Sequence, residues 1–220
     1  MKGTKAPHKE TQRDRVLLND ELKQLWGALD GLDWPWEPYF RVLLLTAQRR
    51  GEVATMQWRH LDLDSDKPMW EIPAELNKAA RKHEVPLVPE VVEMLRSCIK
   101  DHKGHKRAMK GPYVFSTMRG LSPVSGFSKA KREIDKGAGI EPWRIHDIRR
   151  TAASGMAGLN YPPHVLASIL NHAPASTQGI TAIYNRYRYA DEKRMALEAW
   201  ARHVMALVEE REAKVVALVR

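Results

Sequence analysis

The sequence lacks most of what marks secreted and membrane-spanning proteins. It contains 1 cysteine in 220 residues, which excludes an internal disulfide framework. That residue, Cys98, lies in an apolar stretch and is predicted to belong to the core. No apolar run approaches the roughly 18 residues that a bilayer-spanning helix needs, and the charged start of the chain has no signal-peptide apolar region. These absences predict a cytoplasmic protein that makes no contact with a membrane.

Acidic residues are also in the minority. The chain has 36 lysines and arginines against 27 aspartates and glutamates, which gives a formal net charge of +9. An anionic polymer partner and a merely solvated basic surface explain this charge equally well. The apolar content of 43% and the charged content of 29% are typical of a globular protein.

The hydrophobic pattern predicts a mainly α-helical domain that carries one small antiparallel β-sheet, an α+β fold. Apolar spacing and capping residues predict helices over residues 19–29, 39–47, 51–57, 89–99, 125–136, 147–158, 163–170 and 191–212. Segments with β character predict short strands at 60–63, 69–72 and 83–87. Residues 1–15 are predicted to be a basic arm or linker remnant, 16–205 the domain itself, and 206–220 a C-terminal tail.

Two arginine-containing pairs are the first candidates for chemistry. Arg49 and Glu52 lie three residues apart, so they share a helical face. An exposed intrahelical ion pair is the simpler interpretation, and taken alone it is the better one.

His146 and Arg149 repeat this spacing near a predicted helix start, where anions are favoured. The simpler interpretation is that His146 caps the helix while Arg149 pairs with Asp147 or Glu141. Because arginine forks match phosphate oxygens, two such pairs together indicate an anion held between them.

Four stretches resemble, in order, the boxes of the tyrosine recombinase (phage integrase) family. They are residues 46–52, 146–151, 170–172 and a segment from Tyr184 to about 200 that is similar to the nucleophile box of prophage-type integrases. The resemblance implies the catalytic-domain fold of that family. It also implies a site-specific DNA recombinase that cuts and rejoins DNA through a 3′-phosphotyrosyl intermediate, for integration or excision of a mobile element.

The resemblance assigns catalytic roles to six residues, Arg49, Lys78, His146, Arg149, His172 and Tyr184. The two arginines clamp the non-bridging phosphate oxygens, and His172 donates a hydrogen bond to a phosphate oxygen. His146 assists removal of the proton from the Tyr184 phenol, which attacks phosphorus, and Lys78 protonates the leaving 5′-oxygen. Glu52 orients His146 or an arginine.

Neighbouring residues compete for two of these roles. Tyr187 and Tyr189 are crowded beside Tyr184, but only Tyr184 follows an apolar segment at the family's interval from the histidine. Lys82 is the alternative to Lys78 as general acid. Ala47 and Asn171 stand where the family commonly has glycine; Asn171 tolerates left-handed φ, and neither change removes a reacting group.

The implied partner is double-stranded DNA carrying an attachment site, bound by a homo-oligomer, a tetramer, of a protein that is a monomer when isolated. No cofactor or metal is implied: His102 and His105 have ligand-like spacing, but the surrounding lysines favour a solvated loop. The rival interpretations are a type IB topoisomerase and a non-catalytic DNA-binding module. The apolar end of the chain is expected to dock on a neighbouring protomer.

Overall fold

The computed structural model describes residues 14–77, 80–99, 111–140, 142–172 and 188–218, with side chains as far as residue 209. Within them the chain forms eight α-helices: α1 (Asn19–Leu29), α2 (Trp36–Thr46), α3 (Arg50–Ala54), α4 (Pro89–Ile99), α5 (Phe127–Ala138), α6 (Ile145–Gly158), α7 (Pro163–Ile169) and α8 (Ala190–Leu218). One antiparallel sheet has the order β1 (Leu61–Asp62), β2 (Met69–Ile72) and β3 (His83–Pro86). The prediction of a mainly α-helical fold with a small antiparallel sheet is confirmed.

Helix α2 forms the centre of the core. It is apolar around its circumference, a pattern typical of a helix enclosed by others, and residues 42–45 are at most 1% exposed. It packs against α1, α3, α4, α6 and α8. The rings of Tyr39, Phe40 and Phe127 extend this core toward α5.

Helices α6 and α8 approach each other closely because a glycine faces an aromatic ring. A Cβ atom placed on Gly155 would lie 2.1 Å from the ring of Trp200. The indole of Trp200 is 1% exposed, and its N–H donates to the carbonyl of Leu44 at 3.0 Å. This contact fixes α8 against α2 and α6.

Three helices begin with the same device. The backbone N–H before each helix donates to a carboxylate three residues later: Leu18 to Glu21, Arg49 to Glu52 and Arg144 to Asp147, at 2.8–2.9 Å. Such a bond satisfies one donor at the helix start, and the negative charge suits the positive end of the helix dipole.

Some element boundaries differ from the prediction. Helix α2 begins at Trp36, inside the predicted turn, because a proline in the first helical turn costs no intrahelical hydrogen bond. Helix α6 begins at Ile145, and α8 continues to Leu218, through the predicted boundary at residue 205. The division into arm, domain and tail remains a prediction. None of the described helices is long and apolar enough to cross a bilayer.

Candidate active site

The connection between α2 and α3 places Arg49 at a helix start. Ala47 ends α2 in the left-handed region, with φ 55°. Glu52 accepts hydrogen bonds from the backbone N–H of Arg49 at 2.9 Å and from its Nη1 at 2.8 Å. Because Glu52 is 4% exposed while Arg49 keeps a quarter of its side chain in solvent, the guanidinium is held firmly yet remains accessible.

Helix α6 places His146 and Arg149 in different environments. His146 is exposed in the first turn, whereas Arg149 is 4% exposed. The buried guanidinium donates to the carbonyl of Ala47 at 2.7 Å and to that of Leu170. A buried charge needs such partners, and these two fix its plane between α2 and the end of α7.

The acidic residue beside Arg149 has other partners. Asp147 is fully buried; it accepts from the N–H of Arg144 and pairs with Arg150 at 2.8 Å. The simpler interpretation of the sequence, in which Arg149 pairs with Asp147, is therefore wrong. Glu141, the other acidic residue considered, lies outside the described residues.

His172 lies at the same place. Its Nε2 is 3.4 Å from Nη2 of Arg149, and its ring is exposed beyond the C-terminal end of α7. The guanidinium of Arg149 thus connects three chain segments, the α2–α3 turn, α6 and the end of α7. The structure brings these predicted site residues together although they are far apart in the sequence.

The electrostatics of this cluster are those of an anion site without its anion. Burial and the charge of Arg49 lower the pKa of Arg149 to about 10, so the guanidinium stays charged at neutral pH. Burial lowers the pKa of His146, helped by Arg150 and Arg149. Burial and the charges of Arg149 and Arg49 lower the pKa of His172 in the same way. Both imidazoles are therefore mainly unprotonated at neutral pH.

A cationic groove adjoins the cluster. It has a volume of about 640 Å³, and its lining includes Arg49, Arg50, Lys131, Arg144 and His146, with aromatic walls from Phe127 and Trp143. The ammonium of Lys131 lies 4.0 Å from the centre of the Trp143 ring, and the Arg50 guanidinium lies 4.9 Å from that of Phe127. The aromatic rings hold these cations in place at the groove.

Two predicted site residues lie outside the described residues. They are Lys78 and Tyr184, and Tyr187 falls outside as well. Their roles remain predictions. Tyr189 is described: it is half-buried, and its ring centre is 4.9 Å from that of His164.

Lys82, the alternative general acid, is engaged elsewhere. Its ammonium contacts Glu71 at 2.5 Å and Glu84 at 3.3 Å, across the surface of the sheet. Hydrogen bonds to these two carboxylates raise its pKa, which makes it a weaker proton donor. This arrangement favours Lys78.

Several residues of the site carried no sequence signal. Gln48 is fully buried and donates to the Ile169 carbonyl at 3.0 Å, while His83 contacts the same oxygen at 3.1 Å. Arg81 reaches the carbonyl of His172. These contacts join residues that lie about 90 to 120 positions apart, and only the fold reveals them.

Among the residues that the structure describes, no group of three or more histidine, cysteine, aspartate or glutamate side chains is placed to hold a metal. His102 and His105 are not among those residues. The donor set at the candidate site is cationic and nitrogen-rich, and it suits an anion.

Comparison with known sequences gives one family. A sequence model described as the phage integrase family matches residues 15–191. The prophage integrase IntA of Escherichia coli K12 is 27% identical over 191 residues, which are 85% of this chain and 43% of that protein. The integrase of Salmonella phage P22 is 29% identical over 168 residues, 74% of this chain and 42% of the relative. The chain thus spans less than half the length of these curated relatives.

Solved structures share the fold. The XerA recombinase superposes with a TM-score of 0.58 at 20% identity, covering 90% of this chain and 66% of that one. The XerH site-specific recombinase, bound to its difH substrate before cleavage, gives 0.59 at 17% identity, covering 74% and 48%. A lambda integrase dimer bound to a core site gives 0.58 at 18% identity, covering 80% and 63%.

Proposed function

The chain belongs to the phage integrase family, and on that premise we propose that it is the catalytic part of a tyrosine site-specific recombinase. It cleaves and rejoins double-stranded DNA through a 3′-phosphotyrosyl intermediate, for integration or excision of a mobile element. The DNA-bound and oligomeric states named for the lambda integrase and XerH structures support DNA as the substrate. The function is exercised by a homo-oligomer, a tetramer, in the cytoplasm.

One observation carries the proposal: the convergence of Arg49, Arg149 and His172. Two guanidiniums and an imidazole are held by buried contacts around a space that contains no counter-charge other than Glu52 among the described residues. A phosphodiester supplies the missing negative charge. Preorganised cations of this kind stabilise the extra charge of a pentacoordinate phosphorus.

The chemical step needs an acid and a base in addition to these cations. The phenol oxygen of Tyr184 forms a bond to phosphorus while the bond from phosphorus to the 5′-oxygen breaks. The phenol proton passes to His146, whose lowered pKa keeps it unprotonated and ready to accept. Lys78 gives a proton to the leaving 5′-oxygen. The reverse reaction, with a 5′-hydroxyl from another strand, rejoins the DNA, so neither step consumes ATP.

The test is covalent trapping on DNA of unspecified site. The protein is incubated in EDTA with a pool of nicked duplexes whose central positions are randomised, and adducts that survive denaturing electrophoresis are sequenced. We expect an adduct with one enriched sequence, lost in Tyr184→Phe while DNA binding is retained. An adduct that persists in Tyr184→Phe but disappears in Tyr187→Phe or Tyr189→Phe would reassign the nucleophile.

Binding without any adduct would contradict the recombinase proposal and favour a DNA-binding module. An adduct on every sequence, with relaxation of supercoiled plasmid and no strand exchange, would favour the topoisomerase. The variant Arg149→Ala is the second control: we expect it to remove the adduct, because Arg149 contacts the phosphate and holds the α7 end.

A further inference from the structure

The C-terminal end of α7 is a Schellman turn centred on Asn171. The N–H of His172 donates to the carbonyl of Ala167 at 2.9 Å, and the N–H of Asn171 donates to that of Ser168 at 3.3 Å. Asn171 has φ 48°, as this turn requires. The turn ends the helix and directs His172 out of it, toward Arg149.

The carbonyls at this helix end are held by side chains from other elements. The Ile169 carbonyl receives Gln48, the Leu170 carbonyl receives Arg149, and the His172 carbonyl receives Arg81. The last carbonyls of a helix have no intrahelical partner, and cations suit the negative end of the helix dipole. Arg149 and Arg81 thus grip the backbone on the two sides of Asn171.

Arg81 reaches this place through a small network. Its Nε donates to Oδ1 of Asn171 at 2.7 Å and its Nη2 donates to the His172 carbonyl at 3.0 Å. Asn77 closes the connection between β2 and β3, because its side-chain amide donates to the Arg81 carbonyl at 2.6 Å. Asn77 also lies 3.4 Å from the amide of Asn171. Both asparagines are at least 92% buried.

We propose that Arg81 is a positioning residue for His172, and that the side chain of Asn171 is its docking point. A glycine at position 171 supports the same backbone turn, but it offers no oxygen to the Arg81 guanidinium. The asparagine therefore does more than tolerate left-handed φ. It joins the β2–β3 connection, which contains Lys78 in the sequence, to the residue predicted to bind the phosphate.

This inference rests on the proposed function for its meaning, but its first test needs no DNA. Carbon-13-labelled histidine is incorporated and the imidazole of His172 is titrated by NMR, with His172→Gln identifying its signal. Four proteins are compared with the wild type: Arg81→Met, Asn171→Gly, the double variant, and Arg96→Met. Arg96 is the matched control, because it too is an exposed arginine that donates to a backbone carbonyl, that of Leu63.

We expect the His172 titration midpoint to rise in Arg81→Met, because Arg81 is one of the cations that lower the pKa of His172, beside Arg149, Arg49 and His146. Asn171→Gly should move the midpoint in the same direction, since it releases the guanidinium. The double variant should move it no further than Arg81→Met, because both changes break one contact. Arg96→Met should leave it unchanged.

An unchanged midpoint and unchanged plateau shifts in Arg81→Met would overturn the proposal. So would a shift in Arg81→Met with none in Asn171→Gly, because Arg81 would then act only through its charge. Arg81 is exposed, so its loss does not threaten folding. A second readout uses the trapped adduct: a displacement near 1 Å slows the chemical step by up to about 100-fold, with DNA affinity unchanged. If no adduct forms with the wild type, the recombinase proposal fails while the NMR result still decides this one.

Discussion

At the scale of single residues, the site depends on backbone conformations as well as on reacting groups. Ala47 and Asn171 both have positive φ, and each precedes or follows a residue that contacts Arg149. The carbonyl of Ala47 is itself a ligand of that guanidinium. Local backbone geometry therefore decides where the charges converge.

Ala47 gives a prediction about strain. A left-handed alanine costs roughly 1–2 kcal/mol, which Ala47→Gly relieves, while loss of a buried methyl costs about 0.8 kcal/mol. Ala196, in the middle of α8, is equally buried but right-handed, so Ala196→Gly loses its methyl and adds a helix penalty of about 1 kcal/mol. Urea unfolding should show Ala47→Gly within about 1 kcal/mol of the wild type and Ala196→Gly about 2 kcal/mol less stable. Equal losses would mean that Ala47 is unstrained.

His83 gives a prediction about pH. Burial, with the charge of Lys193, lowers its pKa to about 3, against 6.5 for an unperturbed histidine. Below pH 6.5 the unfolded chain therefore binds a proton that the folded chain does not, so the free energy of unfolding falls as the pH falls through this range. Between pH 7 and pH 5 this one group removes about 2 kcal/mol.

His83→Gln keeps a donor for the Ile169 carbonyl but does not titrate. We expect its free energy of unfolding, measured by urea denaturation at both pH values, to fall by about 2 kcal/mol less than that of the wild type. Parallel losses in the two proteins would place the titrating group elsewhere.

At the scale of elements, helix packing sets the distance between α6 and the rest of the site. Helix α6 carries His146 and Arg149 at one end and meets α8 through Gly155 at the other. Movement of α6 would shift both site residues together. Helix α8 also contacts β3, where the buried ammonium of Lys193 donates to the carbonyl of Glu84.

Two glycines on α6 test this packing. Gly155→Ala drives a methyl group into the Trp200 ring, and overpacking of this kind costs about 1–3 kcal/mol or more. Gly158→Ala, near the end of the same helix, meets nothing within 4 Å and should leave stability unchanged or raise it by up to about 1 kcal/mol. Thermal unfolding of the pair measures the difference. Equal stability of the two variants would mean that α6 and α8 are more loosely packed than the structure indicates.

At the scale of the whole molecule, the net charge of +9 is distributed unevenly in function. Cations that line the groove beside the candidate site are exposed and supported by aromatic rings. Other cations, such as Arg96, are engaged with acidic residues and carbonyls away from this groove. If the groove holds DNA, only the first class should affect binding.

Salt dependence separates these two classes. The logarithm of the DNA binding constant falls with the logarithm of salt concentration, with a slope near −0.9 for each phosphate contacted. We expect Arg50→Ala and Arg144→Ala each to reduce the slope by about 0.9, and Arg96→Ala to leave it unchanged. Fluorescence anisotropy on a labelled duplex between low and moderate salt measures all four proteins. Equal slopes throughout would place the DNA on another face.

The sequence by itself determined the fold class and the identity of the reacting groups. Helical periodicity in α1 and α4 and β character at 69–72 and 83–87 are local properties, so they were visible without the structure. The ordered motifs around Arg49, His146 and His172 were sufficient to indicate the family. The sequence also suggested that Asn171 accepts left-handed φ, which the structure has.

Only the tertiary structure decided which groups meet. Nothing in the sequence indicates that Arg149 binds the carbonyls of Ala47 and Leu170, or that Arg81 docks on Asn171. Backbone carbonyls are the same at every residue, so a sequence cannot specify which one a side chain will reach. The burial that lowers the pKa values of His83 and Arg149 is likewise a property of the assembled core.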